Sequence, residues 1–136
     1  MKYKNRTAFE RDCNSELAEL FLQVRDFVKI CIGNGVKEKH NEHTSSFFTK
    51  EGGFCSIKVK DDYIYFSWFK GAVLNDKYNK LEGKGKVARK QIVYNLDKQT
   101  RAAIRYYIEE TFVKLIEYNE LKNIKSSFKG QNNLDF

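Results

Sequence analysis

Leu17, Leu20, Phe21, Val24, Phe27, Val28 and Cys31 recur at steps of three and four, the period of an amphipathic helix. Asp12, Asn14 and Ser15 offer N-cap oxygens before it, and Gly33-Asn34-Gly35 supplies residues that tolerate left-handed dihedrals at its end. The polar dozen residues ahead of this helix predict a frayed start. The period then shortens to two. Segments 44–50, 54–60 and 62–69 are short, aromatic or β-branched, and separated by Glu51-Gly52-Gly53 and by the Lys60-Asp61-Asp62 turn. In the second of these, Cys55, Ile57 and Val59 alternate with Ser56, Lys58 and Lys60. In the third, Ile64, Phe66 and Trp68 alternate with Tyr63, Tyr65, Ser67 and Phe69, so both faces are apolar and the strand belongs inside a sheet.

A polar excursion, 71–86, precedes a further strand over 88–95. Asn95 or Asp97 then caps a second helix with the stripe Ile104, Tyr107, Ile108, Phe112, Leu115 and Ile116, and a shorter helix carries Leu121, Ile124 and Phe128. Residues 129–136 form a polar tail expected to be disordered. Amphipathic helices and an antiparallel sheet bury their apolar sides against each other, which predicts an α+β two-layer sandwich with the N-terminal and C-terminal helices on one face. With 136 residues this is one domain, 1–128, with a core at about 15–116.

The net charge is +7, which invites a polyanionic partner. The excess is lysine, nineteen against six arginines, whereas bidentate phosphate recognition favours arginine, so the charge supports nucleic acid less than its size suggests. No apolar run approaches the ~20 residues of a membrane span, and the N-terminus lacks the apolar centre of a secretory signal. The expectation is a cytoplasmic protein without a membrane partner. Cys13, Cys31 and Cys55 are three thiols at wide spacings, matching neither a disulfide framework nor a zinc site.

Two short motifs carry a resemblance. Phe69, Lys70, Gly71, Ala72 and Leu74 close the aromatic strand, and Leu81, Glu82, Gly83, Gly85, Lys86 and Arg89 precede the basic one. In this order they resemble the YdhG-like domain family of unknown function, over roughly residues 15 to 116. The resemblance implies a small cytosolic α+β domain and no established catalytic residues. One branch of that family comprises frataxin-like iron chaperones, whose iron binding uses an exposed acidic ridge; here Glu16, Glu19, Asp61, Asp62, Glu109 and Glu110 are scattered along the chain.

Gly83-Lys84-Gly85-Lys86-Val87-Ala88 formally matches a dinucleotide fingerprint, but a polar excursion precedes it and a strand follows, so that architecture is excluded. Val87 after Lys86 excludes a Walker P-loop. A turn with open backbone amides and charge from Lys84, Lys86, Arg89 and Lys90 remains, which makes Gly83, Lys84, Gly85, Lys86, Arg89 and Lys90 the candidate anion-binding set. His40 and His43 sit in a polar segment expected to be a flexible loop. Glu109 and Glu110 are adjacent on a helix and diverge. No nucleophile–base pair stands out, so a binding domain is expected rather than an enzyme, with neither catalytic nor metal-ligating residues and no cofactor. Its candidate ligand residues are Tyr63, Tyr65, Trp68, Phe69, Lys70 and Gly71, beside the 71–86 excursion. The partner is then an unidentified ligand or protein, with the chain a monomer or homodimer. The alternatives are a polyanion or RNA binder, through the Gly-Lys loop and the sheet aromatics, and an iron chaperone by resemblance alone.

Overall fold

The computed structural model describes the backbone of residues 7–134 and the surroundings of side chains 7–128. Its elements are α1 (Ala8–Cys13), α2 (Ala18–Ile32), β1 (Lys37–His40), β2 (Ser45–Thr49), β3 (Gly52–Lys60), β4 (Tyr63–Trp68), β5 (Arg89–Val93) and α3 (Lys98–Leu134). The five strands form one antiparallel meander in the order β1-β2-β3-β4-β5. The helices pack on one face, giving the α+β sandwich that the periodicities predict.

Strand alternation decides what the helices cover. Register aligns Phe47, Cys55 and Trp68, then Ser45, Ile57 and Phe66, then Val59, Ile64 and Val93. Most of these side chains are fully buried, together with Phe21, Val24 and Val28 of α2 and Ala103, Ile104 and Tyr107 of α3. A bulge where Phe47 and Phe48 oppose Cys55 and Gly53 turns Phe54 into the same core, and its ring stacks on Phe112 at 6.4 Å. Trp68 fills the centre. It stacks on Phe66 at 5.0 Å, meets Tyr107 edge-on at 5.6 Å, and donates its indole N–H to buried Gln91 at 2.9 Å. Burial leaves an indole N–H needing a partner, and Gln91 supplies it.

Four expectations change. Residues 8–13 are helical, with Thr7 capping the Glu10 amide at 3.2 Å, and Phe9 of this α1 packs on Phe21 and on His40. Residues 1–6 lie outside the described residues. The histidine segment is an edge strand followed by a tight turn. His40 lies in β1, with Nδ1 2.9 Å from the Ser45 hydroxyl, whereas His43 is exposed in the turn that Asn41 organises. The second and third helices are one, α3, continuous to Leu134; residues 129–134, expected as a disordered tail, are helical, and 135–136 lie outside the described residues. Its cap is Asp97, whose carboxylate accepts the Thr100 amide at 2.8 Å. The 71–86 excursion runs between β4 and β5. It packs on the helix side, where Leu74 is buried and Tyr78 meets Tyr106 and Tyr107 edge-on at 5.8 and 6.4 Å.

Asp76 holds that excursion. Its carboxylate accepts the amides of Lys80 at 3.0 Å and Leu81 at 3.2 Å and the hydroxyl of Tyr107. Burial and the neighbouring Asp76 carboxylate both push the Tyr107 phenol up, so it stays protonated and donates.

Candidate functional site

The residues that alternate away from the core form the opposite face of the sheet. Pairing places Lys39, Ser46, Ser56, Ser67 and Lys90 in one row across all five strands. At ~4.8 Å between strands the row runs roughly 19 Å, three hydroxyls with an ammonium at each end. The next row is Lys58, Tyr65 and Ile92, and the one beyond pairs Lys60 with Tyr63, whose ring meets Tyr94 edge-on at 5.7 Å. On the other side Lys37 pairs with Phe48, which opposes Gly53. A Cβ on Gly53 would lie 2.8 Å from the Phe69 ring, so the glycine lets Phe69 lie flat on the sheet.

Five lysines therefore share one face: Lys37, Lys39, Lys58, Lys60 and Lys90. The acid of β1, Glu38, alternates to the other side. There it takes both guanidinium arms of Arg25 at 2.7 Å and the Lys29 ammonium at 2.7 Å. Burial alone would push Glu38 up, but the bonds from Arg25 and Lys29 more than offset it, and the carboxyl is held below its ordinary value. Sorting by parity thus places the Glu38 carboxylate, paired, inside and the lysines outside, where Glu82, bridged to Lys90 through the backbone, adds a carboxylate at the β5 edge. Lys58 and Lys60 lie over the Tyr65 ring at 5.2 and 5.4 Å, which fixes cations beside a half-exposed aromatic.

The candidate ligand residues separate into three places. Tyr63, Tyr65 and Phe69 share the lysine face. Trp68 lies in the core at 0% exposure and is closed to any ligand. Lys70 and Gly71 leave the sheet toward α3, where the Lys70 ammonium sits 5.0 Å from the Tyr118 ring.

The Gly-Lys loop is the tip of a hairpin. Glu82 and Lys90 exchange both backbone bonds, at 2.8 and 2.9 Å, and Gly83 turns the chain at φ 126°. Lys84 and Lys86 are exposed at the tip, while the Arg89 guanidinium turns back onto the carbonyls of Ala88, at 2.9 Å, and Gly85. Arg89 thereby clamps the turn. The two resemblance motifs also meet here: the Ala72 amide donates to the Val87 carbonyl at 2.8 Å, and a Cβ on Gly71 would lie 2.7 Å from the Arg89 backbone nitrogen. Of the anion set, Lys90 alone joins the sheet face.

The serine row, Lys37 and Lys39 were not singled out from the sequence as part of one site. The available signal was alternation within each strand; what joins the strands is register. Cys55 is buried and its thiol pushed up by burial, and burial also raises Cys13 and Cys31, so none is an activated nucleophile. Among the described residues, no group of three or more His, Cys, Asp or Glu side chains is placed to hold a metal ion, and no helix is long and apolar enough to cross a membrane. Comparisons of the chain with protein-family models, with curated proteins and with solved structures return no significant match.

Proposed function

We propose that this domain binds single-stranded nucleic acid on the helix-free face of its sheet. The observation that carries this reading is the in-register face itself: five lysines, the half-buried Ser46 and Ser67 hydroxyls on either side of buried Ser56, and Tyr63, Tyr65 and Phe69 on one side of one sheet. Ammoniums neutralise phosphates and release counterions, hydroxyls donate to phosphate or sugar oxygens, and aromatic rings stack bases without regard to sequence. Lysine supplies point charges rather than bidentate forks, which suits a backbone tracked through several registers more than a single read base. A duplex presents its bases edge-on inside grooves, so the half-exposed rings favour unpaired strands.

Under this reading the domain is a binding module within the YdhG-like type that its motifs resemble, and its own chemistry is retention rather than turnover. The test is fluorescence anisotropy with a labelled oligo-uridine of roughly 10 nucleotides at low salt. Binding should weaken linearly in log–log salt plots, and Lys58→Glu with Lys60→Glu should reduce affinity by at least about ten-fold. Tyr65→Ala should cost about 1–3 kcal/mol of binding through lost stacking. Absence of binding at about 50 mM salt, or unchanged affinity in the double lysine variant, would reject the proposal.

A further inference from the structure

A second surface lies away from the lysine face, between the excursion and α3. Val73 and Val87 on one wall are 58% and 56% exposed, and Tyr118 and Leu121 on the other are 57% and 51% exposed. More than half of each side chain faces water, an apolar cost that a bound apolar body would remove. The walls enclose a cleft of about 430 Å³, within the range of small-molecule sites. Lys70, Lys86 and Lys114 stand around it. Among the described residues the one carboxylate lining it, Glu117, lies 3.8 Å from the Lys114 ammonium and offsets only part of that charge.

We infer that this cleft binds a single anionic amphiphile, a carboxylate or phosphate head on an acyl or aryl body. The apolar walls receive the body, and the head sits at the rim that Lys70, Lys86 and Lys114 line. Charge decides against a second copy of the chain as the occupant, because pairing two such faces brings three lysines onto three. Concavity decides against a flat bilayer, which cannot follow two walls into a cleft.

The test is calorimetric titration of the full chain with dodecanoate below its micelle concentration, with dodecyltrimethylammonium as the cationic control. One dodecanoate should bind per chain and the cation should not. Leu121→Asp, at an exposed position that leaves the fold intact, and Lys86→Glu with Lys114→Glu should each weaken dodecanoate by roughly ten-fold or more. Leu121→Asp should leave oligo-uridine affinity unchanged, so failure here and failure of the nucleic-acid reading are separable. The inference is overturned by absence of heat with dodecanoate, by equal affinity for both detergents, or by unaltered binding in Leu121→Asp. Retention on phosphatidylglycerol vesicles without binding of free dodecanoate, or a dimer in sedimentation that Leu121→Asp dissolves, would also overturn it by assigning the surface to a bilayer or to self-association.

Discussion

Gly71 joins two distant motifs by having no side chain. Adding a methyl group there places it 2.5 Å from Arg89 Cβ and 2.7 Å from the Arg89 nitrogen, both parts of a strand that cannot retreat. Gly71→Ala should therefore destabilise the domain by about 1–3 kcal/mol in denaturant unfolding, by overpacking. A loss within a few tenths of a kcal/mol would show that the two segments separate readily. Asp12 is the second sensitive residue. It is 6% exposed, one of its oxygens has no partner, and burial raises its carboxyl despite a bond from the Val59 backbone and the charges of Arg11 and Lys58. A raised folded pKa favours the protonated form, so the ionised carboxylate burdens the fold at neutral pH, and the burden fades as pH falls through the raised folded value and is gone below the ordinary aspartate range. Asp12→Asn should raise Tm at pH 7, with the gain closing towards pH 4. An equal gain at both pH values would refute the titration account. Glu38 carries the opposite sign: its contribution is present above the ordinary glutamate pKa and lost as pH falls through its depressed folded value.

At the scale of elements, the excursion depends on one side chain. Asp76→Ala deprives the Lys80 and Leu81 amides and the Tyr107 hydroxyl of their shared acceptor, and should cost about 1–3 kcal/mol. Hydrogen exchange should quicken at Lys80 and Leu81 while β3 and β4 stay protected; global acceleration would mean the excursion is not a separable unit. The far end of α3 behaves differently. Leu121, Ile124 and Phe128 are all more than half exposed, so deletion from Ile124 onward should leave Tm nearly unchanged. Which elements were legible follows from what each buries. β4 buries every second residue, β2 does so at Ser45 and Phe47, and β3 announces itself by the alternation of Cys55, Ile57 and Val59 although Phe54 to Ile57 are all buried. β1 buries none of its four: its inward residues are Glu38, satisfied by Arg25 and Lys29, and His40, satisfied by Ser45 and Glu38, and a polar strand with polar partners leaves no hydrophobic trace. α1 has only Ala8, Phe9 and Cys13 as apolar residues, too few to set a period. α3 read as two helices because its apolar stripe changes phase, from the core side at Ile104, Ile108 and Leu115 to the solvent side at Tyr118 and Leu121. Within the lysine face, alternation exposed the two halves of β3 and β4, but the row from Lys39 to Lys90 exists only through pairing, which periodicity does not encode.

For the whole molecule, the distribution of charge matters more than its sum of +7. Cations crowd one side of a sheet whose other side is sealed by helices, so the domain presents an oriented field rather than a uniformly basic surface. Its association rate with oligo-uridine should fall steeply with salt while its unfolding midpoint moves little, since Arg25, Lys29 and Glu38 form the partly buried pairs and the sheet lysines stand free of them. Stopped-flow mixing and thermal melts across the same salt series check both; parallel losses would mean the lysines serve stability.

The meander has a temporal consequence too. Every strand pairs with its neighbour in sequence, and the β3–β4 turn closes on only Asp61 and Asp62, with Asp61 at φ 52°. Hairpins of this kind form within microseconds, and each added strand closes only a short loop, until the long connection before β5 and the return of α3 onto α2. The chain can thus assemble outward from its centre during synthesis, with the lysine face drawn across β2, β3 and β4 before the last helix has been made.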